Sequence, residues 1–152
     1  IGFLDSERDW SDAEDFVRGI WMMLNQDEFR NNKAGEYIEH YEVDSLQEYV
    51  LSSGECHSVR EFVEKAFSVA GIEGLWDGKE ENEKYIMSVH DLPDEHLIDL
   101  VKINPKFYRP FEVTKLHGTN EKIKKDLGWE PRVKFDELVK KMVENDIKLL
   151  DS

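Results

Sequence analysis

The sequence has little of several features that mark particular classes of protein. Cys56 is its one cysteine in 152 residues, so no internal disulfide can form, which favours a reducing, cytoplasmic location. No apolar run approaches the roughly 18 residues that a membrane-spanning helix needs. Lys and Arg total 20 against 34 Asp and Glu, giving a net charge of −14. We therefore expect no membrane or nucleic-acid partner, although two or three arginines can still form a local phosphate pocket.

The chain also lacks the short motifs that carry common catalytic chemistry. It contains no Gly-x-Gly-x-x-Gly turn for a dinucleotide, no Tyr-x-x-x-Lys pair, no Gly-x-Ser-x-Gly elbow and no Walker loop. No pair of histidines has the spacing of a zinc helix. We therefore predict no catalytic residue and no metal site in this chain, and its residues resemble a binding half rather than a catalytic one.

Apolar spacing and turn residues predict a mixed α/β fold of helices packed with short strands. Apolar residues at helical spacing follow a Ser11–Glu14 capping box, and a second stripe follows a Ser58–Glu61 capping box. Gly71 is placed to end the second helix. Two later helices are predicted at 119–127, capped by Thr119 and ended by Gly128, and from Phe135 onward. Short strands are predicted at 48–53, 72–77 and 97–103.

We interpret the chain as one segment, 1–152, with a surface insertion at about 27–47. Residues in that stretch are rich in turn formers, acidic groups and aromatics without a clear period. The chain begins at Ile1 rather than at a methionine, so we expect it to be part of a longer protein.

The stretch around Arg109 has the residues of a phosphate and ribose site. An arginine followed by Pro110 offers a planar fork of donors on a stiffened backbone. Glu112 can accept two hydroxyl hydrogen bonds, as a ribose diol would supply. The alternative is an ordinary surface loop held by an ion pair.

Two further positions are candidates for the same site. Arg8 precedes the first helix, whose free amides favour anions; the alternative is that Arg8 pairs with Asp12 or Asp15. A strand, a short turn and the helix starting near Val59 form a βα unit, and ligands bind at such turns in open α/β sheets. The alternative for Val59 and its neighbours is a purely structural role as cap, core and surface charge.

Three motifs in this order resemble the C-terminal part of an extended short-chain dehydrogenase/reductase, and specifically the GDP-mannose 4,6-dehydratase family. The matching runs are Arg8-Asp9-Trp10 before a helix, Ser58-Val59-Arg60-Glu61-Phe62, and Tyr108-Arg109-Pro110-Phe111-Glu112-Val113. The terminal Leu127-Gly128-Trp129-x-Pro131 run matches as well. Where the family usually has Gly-His after the tryptophan, this chain has Ser11-Asp12.

The resemblance implies a function for the chain as the substrate-binding part of such an enzyme. In that family a Rossmann half, which this chain lacks, holds NADP and the catalytic residues, and GDP-mannose loses water to give GDP-4-keto-6-deoxymannose. By the resemblance, Arg8 and Arg109 contact the diphosphate, Glu112 contacts the ribose or holds an arginine, and Val59 lies near the base. Full-length members form homo-oligomers, dimers or tetramers.

Two other functions fit the same residues. One is a sister nucleotide-sugar dehydratase or epimerase with a different substrate. The other is a non-catalytic module that binds a nucleotide sugar or another protein.

Overall fold

The computed structural model describes residues 1–26, 47–89, 96–109 and 112–150. Most of the predicted insertion, 27–46, lies outside these residues, as do Pro110 and Phe111. Within the described part there are four helices and six short strands, which confirms the mixed α/β class. The helices are α1 (Ala13–Leu24), α2 (Val59–Val69), α3 (Glu121–Leu127) and α4 (Phe135–Leu150). The strands are β1 (Glu7–Arg8), β2 (His57–Ser58), β3 (Leu75–Asp77), β4 (Lys84–Val89), β5 (His96–Lys102) and β6 (Lys115–Leu116). None of the described helices is long and apolar enough to cross a membrane.

The chain divides into two compact units. The first unit consists of 1–8, 57–115 and 139–152, and the second of 9–56 and 116–138.

The first unit contains two small sheets, with strand orders β2-β1-β6 and β3-β4-β5. Strands β3, β4 and β5 pair antiparallel. The Phe67 ring of α2 lies 5.4 Å from the Tyr85 ring of β4, and the Trp76 ring of β3 lies 4.9 Å from it. Burial of these aromatic and aliphatic side chains is the main stabilising term for the unit. Its buried apolar residues include Leu4, Val63, Tyr85, Ile86 and Ile103.

Arg60 connects three parts of the first unit. Its guanidinium donates two hydrogen bonds to the Glu83 carboxylate, at 2.6 and 3.1 Å, and one to Asp5 at 3.0 Å. It also lies over the Trp76 ring at 4.8 Å. The Glu83 hydrogen bonds, with a smaller contribution from Asp5, raise the pKa of Arg60. Arg60 therefore holds α2, the start of β4 and the segment before β1 together.

The second unit is organised around the fully buried indole of Trp129. Met22, Ile123 and Leu127 complete this core, and the indole N–H donates to the Asp15 carbonyl at 3.0 Å. The Asp15 carboxylate accepts from the amides of Arg132 at 2.7 Å and Val133 at 2.9 Å. The buried Asp15 carboxylate thus supplies the hydrogen-bond acceptor for two backbone amides of the loop that leads into α4.

Several local predictions are confirmed. Ser58 and Glu61 form a reciprocal capping box at the start of α2. Gly71, one residue beyond the C-cap of α2, and Gly128, the C-cap of α3, both have positive φ, 73° and 75°. These conformations are open to glycine because it has no Cβ.

Two predicted helix caps are wrong. Asp12, not Ser11, caps α1 by accepting from the Glu14 amide at 2.8 Å, while Ser11 donates to Asp9. Asn120, not Thr119, is the N-cap of α3, although the Thr119 hydroxyl does accept from the Glu121 amide.

The predicted strand at 48–53 does not form a ladder. The amides of Ser53 and Gly54 donate instead to the Asp9 carboxylate, at 2.7 and 3.1 Å. A side chain thus occupies backbone donors that a neighbouring strand would otherwise use. The strand that directly precedes α2 is therefore the two-residue β2 and not the segment 48–53. Strand β2 pairs antiparallel with β1.

Of the remaining strands in the first unit's second sheet, two were predicted from the sequence and one was not. Strand β5 confirms the prediction at 97–103, and β3 lies within the predicted 72–77. The sequence analysis missed β4, whose residues 84–89 follow a highly charged loop.

Candidate functional site

Arg8 lies on β1, the middle strand of its sheet, and its guanidinium is held by three acceptors. One terminal nitrogen donates to the carbonyls of Glu7 at 2.8 Å and Val113 at 2.9 Å. The other donates to Glu112 Oε1 at 3.0 Å. Strand order explains the arrangement, because β6 follows 112–114 and lies beside β1, where the Glu7 amide donates to the Thr114 carbonyl.

The Arg8–Glu112 ion pair decides between alternatives that the sequence left open. Arg8 pairs with neither Asp12 nor Asp15, so that expectation is wrong. Glu112 holds an arginine, one of the two roles that the family resemblance implied. Both side chains are about three-quarters buried, with 27% and 26% of their surface exposed. Such partial burial strengthens the pair relative to a fully exposed one.

The remaining hydrogen-bonding capacity of Arg8 bears on what it could bind. A guanidinium has five N–H donors, and three are used by the acceptors above. The structure gives no further partner for Arg8 among the described residues, so its Nε–H and one terminal N–H remain for a ligand. Guanidinium N–H groups are strong donors to oxyanions, so these two donors are the part of Arg8 that bears on phosphate binding.

Arg109 lies in a turn that the N-terminal segment holds in place. The Phe107 amide donates to the Asn104 carbonyl at 2.9 Å, and the Tyr108 ring packs against Phe3 at 6.1 Å. A Cβ added to Gly2 would lie 2.5 Å from the Phe107 carbonyl oxygen, so the two segments are in direct contact. Arg109 itself is exposed, and no described residue bonds its guanidinium. The proline after it, which we expected to stiffen the loop, lies outside the described residues.

The start of α2 places Val59 next to β1 but leaves little room for an anion. The Val59 amide donates to the Ser6 carbonyl at 3.2 Å, and the Arg60 amide to the Leu4 carbonyl at 3.0 Å. The Glu61 amide donates to the Ser58 hydroxyl at 3.1 Å. The first-turn amides are therefore committed to the protein, and Val59, half-buried, can offer only side-chain contact.

Three of the four candidate residues thus lie around β1. Arg8 is on the strand, Glu112 bonds it, and Val59 is tied to Ser6 just before the strand. Arg109 belongs to the same unit. The carbonyls of Glu7 and Val113 cannot be predicted from sequence as partners of Arg8, because every residue type carries a backbone acceptor.

The described residues were also compared with the requirements of a metal site and of a ligand pocket. Among the described residues, no group of three histidine, cysteine or acidic side chains could hold a metal ion. An open depression of about 520 Å³ lies between the turn after α2 and strands β3 and β4. It contains none of the four candidate residues; its lining is Gly71, Glu73, Gly74, Leu75, Ile86, Met87 and Ser88.

The fold of this chain also occurs in a solved structure. The chain superposes on RMD from Pseudomonas aeruginosa, solved in complex with NADPH, with a TM-score of 0.56 at 16% identity. The match covers 95% of this chain and 34% of that one. At this identity the likeness establishes the fold alone.

Sequence comparison identifies the family. Residues 1–142 match the family model described as GDP-mannose 4,6 dehydratase. The chain is 40% identical over 154 residues to GDP-mannose 4,6 dehydratase of Homo sapiens and 39% identical over 150 residues to that of Drosophila melanogaster, covering 99% of this chain in both. This chain therefore belongs to the GDP-mannose 4,6-dehydratase family, which confirms the resemblance seen in its motifs.

The chain spans about a third of the length of the curated relatives that it matches, 34% for the human protein and 32% for the fly protein. The matched region is the C-terminal part of those proteins.

Proposed function

We propose that this chain is the substrate-binding part of a GDP-mannose 4,6-dehydratase, a lyase that converts GDP-mannose to GDP-4-keto-6-deoxymannose. The observation that supports this most directly is the Arg8–Glu112 pair, which presents a fixed arginine with two donors left for a ligand. The parent enzyme uses NADP, held mainly by its N-terminal half, and acts in the cytoplasm as a homo-oligomer.

Each of the four candidate residues has a distinct role in this proposal. Arg8 and Arg109 bind the diphosphate, since each has guanidinium donors that no described residue occupies. Glu112 fixes Arg8 and offers its second oxygen to the ribose. Val59 packs against the base. None of these residues takes part in the chemical steps, which belong to the other half of the enzyme.

The local charge balance explains how an acidic chain can bind a diphosphate. Glu112 neutralises one arginine, and no described residue forms an ion pair with Arg109, so Arg109 supplies positive charge that Glu112 does not cancel. GDP binding should therefore depend more on Arg109 than on any other single side chain of the chain.

Isothermal titration calorimetry with GDP tests the proposal. Arg109→Ala should weaken GDP binding about 10- to 100-fold, since a charged hydrogen bond to phosphate is worth about 1.5–3 kcal/mol. Lys106→Ala is the matched control, because Lys106 is another exposed cation of the same turn; it should change affinity by less than about threefold. Equal losses in both variants would indicate non-specific charge attraction and contradict the site.

Glu112→Gln separates the two roles of that residue. If Glu112 mainly positions Arg8, the variant should lower the affinity for GDP and for inorganic diphosphate by the same factor. If it contacts the ribose, GDP affinity should fall while diphosphate affinity does not.

A further inference from the structure

The turn at 104–109, which carries one of the proposed phosphate-binding arginines, has local hydrogen bonds of its own. The Phe107 amide donates to the Asn104 carbonyl at 2.9 Å, and the Tyr108 amide donates to the Pro105 carbonyl at 3.3 Å. Bonds between residues three positions apart fix the shape of a turn. They do not fix how the turn is oriented against the rest of its unit, so other contacts must do so.

The segment at 1–3 supplies backbone contacts that orient this turn. The Asn104 amide donates to the Ile1 carbonyl at 2.8 Å. Gly2 lies so close to the turn that an added Cβ would be 2.5 Å from the Phe107 carbonyl oxygen. A side chain at position 2 would therefore displace the turn, and glycine permits the approach because it has no Cβ.

Phe3 holds the same turn through its ring. The centroids of the Phe3 and Tyr108 rings lie 6.1 Å apart with 61° between the ring planes, which is edge-to-face geometry. Tyr108 is half-buried, whereas Phe107 and Arg109 on either side of it are exposed. Tyr108 is therefore an anchor of the turn, and Arg109 follows it directly in the chain.

The N-terminal segment is also bound to the start of α2. The Arg60 amide donates to the Leu4 carbonyl at 3.0 Å, and the Leu4 side chain is 2% exposed. This part of the segment is thus fixed in the close-packed core of its unit. Residues 1–5 therefore join the turn of Arg109 to the helix that begins at Val59, and these are the two elements proposed to hold the diphosphate and the base.

We propose that Gly2 and Phe3 are positioning residues for Arg109, and that they hold its backbone where the guanidinium reaches the diphosphate of a nucleotide sugar. A turn that is already oriented limits where the guanidinium can go, so less conformational freedom is lost when it binds an anion. Neither Gly2 nor Phe3 needs to touch the nucleotide. This inference rests on the proposed function, because it takes Arg109 as a phosphate ligand.

Calorimetry with GDP tests the positioning role. Phe3→Ala and Gly2→Ala should each weaken binding about 3- to 10-fold, because each displaces the turn without removing a phosphate ligand. Phe3→Tyr keeps the ring and should bind GDP within about twofold of the wild type. Phe107→Ala is the matched control, because Phe107 is an aromatic residue of the same turn and is 58% exposed; it should change the affinity by less than about twofold.

A double substitution separates positioning from a general loss of structure. In an Arg109→Ala background, Phe3→Ala should cause no further loss of affinity, since the residue that it positions is absent. A further loss by the full factor would show that Phe3 acts on the fold and not through Arg109. If Arg109→Ala weakens binding while Phe3→Ala and Gly2→Ala do not, the positioning role is overturned and the proposed function stands.

Amide hydrogen exchange measures the orientation of the turn without any nucleotide. Phe3→Ala should speed exchange at the Phe107 and Tyr108 amides at least about threefold, and Phe3→Tyr should not. Unchanged exchange in Phe3→Ala would refute the role of the ring contact in holding the turn. If exchange is faster in Phe3→Ala but Arg109→Ala leaves the affinity for GDP unchanged, the proposed phosphate site is wrong, and the positioning role that rests on it is wrong as well.

Discussion

Replacing Asp15 with asparagine tests whether a buried carboxylate organises the second unit. The Asp15 side chain accepts from two loop amides at 2.7 and 2.9 Å and pairs with Arg18 at 3.2 Å. Asparagine keeps the shape but has one acceptor oxygen, so it cannot serve both the amides and Arg18. One charged hydrogen bond is lost and two are weakened, and we expect the free energy of unfolding to fall by about 2–4 kcal/mol near neutral pH.

The pH dependence of this effect has a definite sign. Burial by itself raises the pKa of Asp15, but the hydrogen bonds from Val133, Arg132 and Arg18, with the charge of Arg18, together outweigh it. The net result is a pKa below its ordinary value of 3.8. A lowered pKa in the folded state contributes stability that is complete above 3.8 and is lost as pH falls through the folded value. The difference between wild type and Asp15→Asn should therefore shrink only below pH 3.8.

Urea unfolding followed by circular dichroism, at about pH 7 and about pH 3, measures both quantities. Glu121→Gln is the control, because Glu121 is exposed in the same unit, and it should change stability by less than about 0.5 kcal/mol. A difference for Asp15→Asn below about 0.5 kcal/mol at neutral pH, or one that stays constant down to pH 3, would refute this account of Asp15.

Three further substitutions test the packing and the backbone. Arg60→Lys should lower the free energy of unfolding by about 1–2 kcal/mol in urea, because lysine cannot make the paired hydrogen bonds to Glu83; an unchanged midpoint would contradict this. Gly19→Ala should cost about 1–3 kcal/mol by the same assay, since the new Cβ would lie 2.5 Å from the Leu51 side chain, and a neutral result would show that this contact relaxes freely. Gly128→Ala should lower thermal stability by about 1 kcal/mol, because φ is 75° there, and no loss would argue against the left-handed helix end.

Much of the local structure was predictable because its causes lie within a few residues of each other. Ser58 and Glu61 are three residues apart, so the capping box at α2 can be recognised without knowing where the chain goes next. The same holds for Gly71 and Gly128, whose positions after apolar stripes predict helix ends. Family membership was also evident from short motifs, because their residue types and order survive in the sequence.

The candidate site was only partly predictable. Arg8 and Glu112 were each identified as candidate ligand-binding residues, but their pairing across 104 positions was not. Sequence proximity favoured Asp12 or Asp15 as partners of Arg8, and both were wrong. Strand order brings the chain after Arg109 beside β1, and nothing in the residue types near Arg8 indicates that path.

The sequence by itself determined the fold class, the family and the capping box of α2, and it supplied the candidate residues for phosphate binding, which stay a prediction. These depend on side-chain chemistry and on geometry within one or two turns of chain. The tertiary structure alone decided which carboxylate holds Arg8, which side chain caps α1, and that segment 48–53 remains without a ladder. Those outcomes depend on which groups, distant in sequence, compete for each hydrogen-bond donor and acceptor. The Asp9 carboxylate is an example, because it accepts from the amides of Ser53 and Gly54, more than 40 positions away.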